Sequence, residues 1–499
     1  MNISLILEMS AEAAPDRRVG LVCEEQSWTY GELFAAACGA AEIFRAAGCA
    51  QIALLDESSE AAAIALFGAA RAGVPYVPLN YRLADEDLAA QIARIAPTFI
   101  IGHADRIGRL CADKGHQIHA RADFIRAARN AAEQASEESD PGEGIAVQLF
   151  TSGTTAAPKA AILRHANLAS YILNTVEFAS ALEEEAALVS VPPYHIAGIA
   201  ALLSSVYRQR RILLLPAFDP EAWIELAARE RATDAFVVPT MLSRIIEAMD
   251  KGKNADLSSL RAIAYGGGRM PLEIITRALK LFPEVDFTNS YGLTETSSTI
   301  ALLGPQEHRA AHRSDDPAMR ARLGSVGKPL PTIELEIRDE EGRVLCAGEQ
   351  GEIYVRGDQV SGEYRERSAL DAQGWFATRD AGWLDEDGYL FLAGRTDDVI
   401  CRGAELISPG EIEDVLLTHP AIADACAVAI PSVEWGEAVG VVVTPREGHA
   451  PPGEKEISEF IRARLRSSRA PERVLFASEL PYNEMGKLLR REVKKLFAD

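Results

Sequence analysis

Cysteine is sparse and unpatterned. The seven cysteines are scattered and odd in number, with no CxxC pair and no His/Cys ligand spacing. That excludes a disulfide framework and a structural zinc, and it points to a reducing, cytoplasmic setting. Positive charge is also short: 51 Lys+Arg face 73 Asp+Glu, a formal charge of −22, which excludes nucleic acid as a partner. Long hydrophobic runs are missing. The apolar-leaning run Ile196–Tyr207 is too short to span a bilayer, so no membrane span is expected. The opening MNISLILEMSAEAAPDRR lacks a basic n-region and soon meets acidic residues, against a signal peptide. No internal repeat or low-complexity tract is present. At 499 residues the chain needs two or more cores.

Against this background a few local features stand out. Leu149–Lys159 reads LFTSGTTAAPK, with Thr151, Ser152, Thr154 and Thr155 around Gly153 and a lysine closing the stretch. Hydroxyls and backbone N–H groups can wrap a polyphosphate, and Lys159 adds a point charge. It is not a Walker A loop: Pro158 stands at the second glycine position and Ala160 where the Mg²⁺-binding hydroxyl would follow. Such a stretch also occurs as an ordinary polar loop, so its company decides. From Ile461 to Lys495 there are ten Lys/Arg against four Glu, a local balance of +6. This segment suits an anionic ligand or forms the solvated faces of amphipathic helices.

The first 140 residues alternate Ala-rich helical stretches such as Tyr30–Ala47 with short apolar runs such as 51–55 and 97–102. That rhythm predicts an α/β layered sheet. A polar segment, 131–144, leads into a buried strand at 145–150, and further strands are expected at 188–191, 212–215, 235–238 and 262–265. From Thr332 to Tyr364 the pattern changes to short strands and turns, a small β unit. After Gly394 a new α/β block of about a hundred residues has the size of a separate domain.

Further segments accompany the hydroxyl-rich loop. Gly266-Gly267-Gly268 precedes Tyr291-Gly292-Leu293-Thr294-Glu295-Thr296. An aromatic beside glycines admits a flat base, and a carboxylate near phosphates can hold Mg²⁺. Thr378-Arg379-Asp380 precedes Gly394-Arg395-Thr396-Asp397-Asp398, where an aspartate suits a ribose diol and an arginine suits hydroxyls or phosphate. Pro481–Lys487 sets a lysine after a turn near the C-terminus.

In this order, and with the TY-x-EL element at Thr29, Tyr30, Glu32 and Leu33, the motifs resemble the adenylate-forming superfamily: acyl-CoA synthetases, peptide-synthetase adenylation domains and firefly luciferase. The resemblance spans essentially the whole chain and is strongest to acyl-CoA synthetases. It implies an α/β fold with a large N-terminal domain, residues 1–394, of layered α/β subdomains plus a small β unit, and a small mobile α+β domain, residues 395–499. It implies ATP, Mg²⁺ and CoA as cofactors and co-substrates. Thr151, Ser152, Gly153, Thr154, Thr155 and Lys159 would hold the β- and γ-phosphates. Gly266, Gly267, Gly268, Tyr291 and Gly292 would form the adenine slot, with Thr294 near the α-phosphate and Glu295 on Mg²⁺. Asp380 and Arg395 would grip the ribose, and His195 would lie beside the substrate carboxylate. Lys487 would bridge carboxylate and α-phosphate, Asp397 would be the hinge, and Gly403 and Ala404 would line the thiol tunnel.

Three departures qualify the match. Ala156 and Ala160 replace glycines usual in the phosphate loop, and Ala404 replaces one in the tunnel. Each adds a methyl and restricts φ, and Ala404 bears most directly on the thiol step. Tyr194 is followed by His195, Ile196 and Ala197, without the aspartate that pairs an amino acid's ammonium. An apolar fatty or aryl acid is expected instead. The reading is therefore an ATP-dependent acid–thiol ligase that makes an acyl-AMP and passes the acyl group to CoA. The alternatives are an acyl-AMP ligase loading an acyl-carrier protein and a non-catalytic nucleotide-binding homologue; nothing identifies a luciferase-type O₂ step.

Overall fold

Thr29 and Glu32 form a reciprocal capping box at the start of helix Tyr30–Ala47, and Gly48 ends it in the left-handed conformation. The TY-x-EL element is thus a helix start. Tyr30 and Leu33 point into the core, and the Tyr30 hydroxyl donates to the Arg210 carbonyl at 2.8 Å. The computed structural model describes the chain except residues 96, 112–114, 137–138, 152–157, 254, 404, 484–487 and 498–499.

Two large sheets carry the N-terminal part. An eight-stranded sheet places Ile145–Thr151 beside Tyr76–Pro78, Ile52–Leu55, Phe99–Gly102 and Gln117–Ala120. These five run parallel. A nine-stranded sheet aligns Asp286–Leu293, Ala262–Gly266, Asp234–Val237, Ala186–Val189 and Arg211–Leu214, again parallel. Short apolar strands buried on both faces need helical crossovers. Helices such as Pro220–Arg229, Pro239–Asp250 and Leu272–Leu281 supply them. One apolar cluster runs through Phe44, Phe67, Leu149, Ile199 and Ile212, joining the two sheets' layers. The strand expected at 188–191 runs Ala186–Val189, because its fully buried residues pair with Arg211–Leu214 and the chain then turns at Pro192.

The small β unit is a four-stranded antiparallel sheet of Glu334–Arg338, Gly351–Arg356, Phe376–Leu384 and Leu390–Arg395. It differs from expectation at one end. The strand Glu363–Tyr364 leaves this unit and pairs with Lys159–Arg164 of the eight-stranded sheet, Tyr364 opposite Ala161. Beyond it, Ile400–Arg402, Glu405–Ile407, Ile422–Ser432, Gly436–Pro445 and Arg473–Phe476 form a five-stranded sheet. Helices Pro409–Leu417 and Glu454–Arg462 share its core. The α/β architecture with a small β unit and a C-terminal α+β part is as expected. Strand Leu390–Arg395 runs one residue past the division at 394, pairing Arg395 with Asp380. Arg269 reaches across to the C-terminal part, donating to the Gly410 carbonyl at 2.7 Å and pairing with Asp414.

Part of the basic segment Ile461–Lys495 is neutralised by glutamates of the same chain. Arg469 pairs with Glu405 and Glu411, Arg490 with the buried Glu413, and Lys495 with Glu492. Among the described residues no helix is long and apolar enough to cross a membrane, no group of three metal-binding side chains exists, and the cysteines are free thiols.

One buried histidine ties the N-terminal helix Ser4–Ala13 to the core: His165 Nδ1 accepts the Ile3 N–H at 3.2 Å. Burial pushes its imidazole down to about 4. The neutral form is the one the fold holds, so its stabilising contribution is complete above the ordinary histidine value near 6.5 and fades as pH falls toward about 4. By pH 5 the loss is about 2 kcal/mol. Thermal melts at pH 7.5 and 5 are expected to show it, and His165→Leu is expected to flatten the difference.

Candidate active site

The site is assembled past the carboxyl ends of neighbouring parallel strands, where α/β sheets bind ligands. Ala186–Val189 leads to Tyr194 and His195, Asp234–Val237 to Val238–Thr240, Ala262–Gly266 to Gly267 and Gly268, and Asp286–Leu293 to Thr294 and Glu295. Gly267 has φ +78°, and a Cβ on it would lie 3.5 Å from Val238 Cγ1. The glycine run therefore lies against the apolar segment that follows the next strand. Gly292 is forced by contact: a Cβ there would sit 1.8 Å from the Ser298 carbonyl oxygen. Just after Glu295, Ser297 and Ser298 take φ of 55° and 106°. Such angles cost about 1–3 kcal/mol each and cluster at functional sites.

The phosphate-loop residues Ser152, Gly153, Thr154, Thr155 and Ala156 lie outside the described residues. The ends of that loop are defined. Thr151 and Lys159 face one another across the antiparallel pair that closes it, and Thr151 Oγ1 donates to the Lys159 carbonyl at 3.4 Å. Lys159 Nζ stands 5.5 Å from the centroid of the Tyr364 ring. The Tyr364 hydroxyl in turn donates to Glu295 Oε1 at 2.7 Å. The Glu295 carbonyl accepts the N–H groups of Ser361 and Gly362 at 2.9 and 3.1 Å. Glu295 is a buried carboxylate with no cation paired to it among the described residues. Mg²⁺ in nucleotide sites is held by one or two carboxylates plus phosphate oxygens, and Glu295, linked to Lys159 through Tyr364, fits that requirement without a cluster of acids.

From the small β unit, Asp380 on strand Phe376–Leu384 meets Tyr291. Its Oδ2 accepts the Tyr291 hydroxyl at 2.7 Å and its Oδ1 accepts from Arg395 at 3.1 Å. Arg395 also donates to the Thr378 carbonyl at 3.2 Å. Burial, then the Asp380 charge, pushes the Tyr291 phenol well above its ordinary value, so Tyr291 is a donor at neutral pH. Its ring belongs to the apolar cluster with Ile300, Val326 and Ile353, and what its hydroxyl does in this structure is hold Asp380. The aim of Asp380 comes from a bulge. Glu352 pairs with Ala381 but Tyr354 with Ala377, and Arg379 within the bulge has φ 63°. A bulge of this kind re-aims a side chain beside a site.

His195 follows strand Ala186–Val189 and precedes helix Ile196–Tyr207, whose Gly198 and Ile199 N–H groups its carbonyl accepts. Its ring lies 4.4 Å from that of Tyr194, itself edge-on to Tyr81. His195 Nε2 is shielded from solvent without a hydrogen-bond partner among the described residues. Burial, with the Arg82 charge adding, pushes the imidazole down to about 3. It is therefore neutral at physiological pH, able to offer one N–H or one lone pair to a ligand oxygen.

Thr294 opens the short 3₁₀ turn Thr294–Thr296 next to Glu295. Asp397 lies just past strand Leu390–Arg395, and its carbonyl accepts from Lys494 Nζ at 3.4 Å. Gly403 sits at the tip between Ile400–Arg402 and Glu405–Ile407, its N–H donating to the Trp435 carbonyl at 2.9 Å. Ala404 and Lys487 lie outside the described residues. Tyr364, Tyr81 and Arg82 are absent from the sequence-derived site. Tyr364 had no signal to offer, since a strand of two residues has no periodicity.

Comparison with known proteins places this geometry. The chain matches the AMP-binding enzyme family model over residues 7–365 and the AMP-binding enzyme C-terminal domain over 411–487. It is 32% identical to a feruloyl-CoA synthase from Amycolatopsis sp over 94% of each chain. It is 30% identical to the fatty acid–[acyl-carrier-protein] ligase ScoC of Streptomyces coeruleorubidus, covering 96% of this chain and 93% of that one. Among solved structures, o-succinylbenzoate CoA synthetase from Bacillus subtilis superimposes with a TM-score of 0.82 at 28% identity, over 98% of this chain and 97% of the other. That structure holds the acyl-adenylate intermediate OSB-AMP, and another of the same enzyme holds ATP and magnesium ion. The chain belongs to the AMP-binding enzyme family.

Proposed function

We propose that this enzyme activates an apolar carboxylic acid, fatty or aryl, with ATP and transfers the acyl group to CoA. One observation carries the reading: a continuous chain of contacts runs from Lys159 through Tyr364 to Glu295, and from Tyr291 on the adjoining strand through Asp380 to Arg395. It sets a cation, a carboxylate and a hydroxyl-binding pair in the order of phosphates, metal and ribose.

In the first half-reaction a substrate carboxylate oxygen attacks the α-phosphorus of ATP, and the bond to pyrophosphate breaks. Lys159 and the loop hydroxyls hold the β- and γ-phosphates; Asp380 and Arg395 hold the ribose. Thr294 stands near the α-phosphate and Lys487 neutralises charge gathering there. Mg²⁺, held by Glu295 and the phosphates, would supply electrostatic stabilisation of the leaving group. His195, neutral, orients the carboxylate by a hydrogen bond and takes no proton. In the second half-reaction the CoA thiol, losing its proton, attacks the acyl carbonyl and AMP leaves. The segment from 395 onward would turn about Asp397 between the two, bringing the tip at Gly403 and Ala404 to the adenylate. The acid lies against Val238 and the glycine run, and the stretch His195-Ile196-Ala197 after Tyr194 has no aspartate to pair an ammonium.

A second reading, transfer to an acyl-carrier protein, is favoured by the similarity to the carrier-protein ligase and by the methyl of Ala404. A single-turnover experiment separates them. Enzyme-bound acyl-AMP is mixed with CoA, then with a phosphopantetheinylated carrier. Rapid discharge by CoA is expected, with Ala404→Gly changing the rate little. Accumulation of acyl-AMP in the presence of CoA, relieved by the carrier or by Ala404→Gly, would assign the carrier instead.

A further inference from the structure

We propose that Tyr364 is a positioning residue that holds the metal-binding carboxylate and the phosphate-loop lysine in one frame. The proposal rests on the adenylating reading above and deepens it.

The evidence is where the segment 361–365 is anchored. Toward the strand that starts at Lys159, Ser361 Oγ donates to the Ile162 carbonyl at 2.6 Å and the Arg365 N–H to the Ala160 carbonyl at 2.9 Å. Toward the turn that carries Glu295, the N–H groups of Ser361 and Gly362 donate to the Glu295 carbonyl. The segment thus staples two walls that belong to different sheets, and Tyr364 is its side-chain link to both. Its hydroxyl donates to Glu295 Oε1 at 2.7 Å while its ring backs Lys159 at 5.5 Å.

The two contacts suit two tasks. A hydrogen bond to one carboxylate oxygen fixes the plane of Glu295 and leaves Oε2 without a partner among the described residues. That matters here because no group of three metal-binding side chains exists among the described residues, and Mg²⁺ tolerates little deviation from octahedral geometry. Outer-shell donors of this kind typically contribute 10–100-fold to metal affinity. The ring contact locates the Lys159 ammonium without neutralising it, as an ion pair would, so its full charge meets the phosphates.

The test is metal binding by the enzyme, with Mn²⁺ in place of Mg²⁺ and free Mn²⁺ followed by electron paramagnetic resonance at saturating ATP. Tyr364→Phe, which keeps the ring, is expected to weaken Mn²⁺ binding about tenfold, with kcat at saturating metal nearly unchanged. Tyr364→Leu, which loses the ring too, is expected also to weaken metal-free ATP binding, read by calorimetry. In a Glu295→Gln background, Tyr364→Phe is expected to add nothing to the metal defect. Tyr364→Phe binding Mn²⁺ as tightly as the parent, or more tightly, would overturn the proposal, as would additive defects with Glu295→Gln. Failure of the underlying reading looks different: the parent enzyme itself would show no ATP-dependent Mn²⁺ binding or no acid-dependent ATP–pyrophosphate exchange.

Discussion

Lys487→Ala slows acyl-adenylate formation by about 10²–10³-fold, the scale of losing one group aimed at charge developing in a transition state. Thioester formation from supplied acyl-AMP is expected to continue, because the lysine serves only the first half-reaction. The described residues on either side of it are anchored. Tyr482 donates to Asp424 at 2.8 Å, the Leu489 N–H donates to the Pro481 carbonyl at 2.8 Å, and Tyr482 bridges Leu488. Arg490 is bound to the buried Glu413 and to the Ala427 carbonyl. Both feet of the segment are therefore fixed to the C-terminal core, and removing the lysine's charge leaves those contacts in place. The check is a pair of rapid-quench measurements, one from acid and ATP, one from acyl-AMP and CoA. Equal losses in both would count against a C-terminal domain that alternates between two tasks.

The second large effect is at Asp380. Its carboxylate receives a buried tyrosine hydroxyl and an arginine, so Asp380→Ala removes the proposed ribose ligand and takes this acceptor from Tyr291, while Arg395 keeps the Thr378 carbonyl. Hydrogen bonds to a charged group contribute about 1.5–3 kcal/mol, which at 1.36 kcal/mol per tenfold gives an ATP KM raised by about 10–100-fold. Leaving the Tyr291 hydroxyl buried without an acceptor is expected to lower thermal stability as well. Asp380→Asn, still an acceptor for Tyr291, is expected to recover most of the stability and only part of the nucleotide affinity. Pyrophosphate exchange at varied ATP, with melting curves of each variant, separates the two. A KM unchanged in both variants would remove Asp380 from the nucleotide site.

The two effects draw on different depths of information. The expectation at Lys487 rests on a contiguous motif, a turn ending in a lysine at a set place in an ordered series. Asp380 was legible as a residue type, but its partners were not: Tyr291 lies 89 residues away. The bulge that aims it depends on Arg379 adopting a left-handed φ, for which an arginine gives no warning. The basic segment shows the same limit in reverse. Its surplus charge invited an anionic partner, yet Arg469 and Arg490 are spent on glutamates 58–77 residues away in the chain.

By itself, then, the sequence determined the layered α/β class, the capped helix at Thr29, the order of the nucleotide motifs and the absence of a counter-charge beside His195. Each rests on neighbours along the chain: a 3.6- or 2-residue period, a cap, a run of glycines or hydroxyls. Only the tertiary structure decided that Glu363–Tyr364 leaves the small sheet to pair beside Lys159, and that Tyr364 thereby joins Glu295 to the phosphate loop. It also decided that Tyr291 serves Asp380, and that His195 is kept neutral. Those outcomes depend on which strand ends and which buried surfaces meet. A two-residue strand or a single buried ring carries no periodic signature, so contacts across tens to hundreds of residues set them.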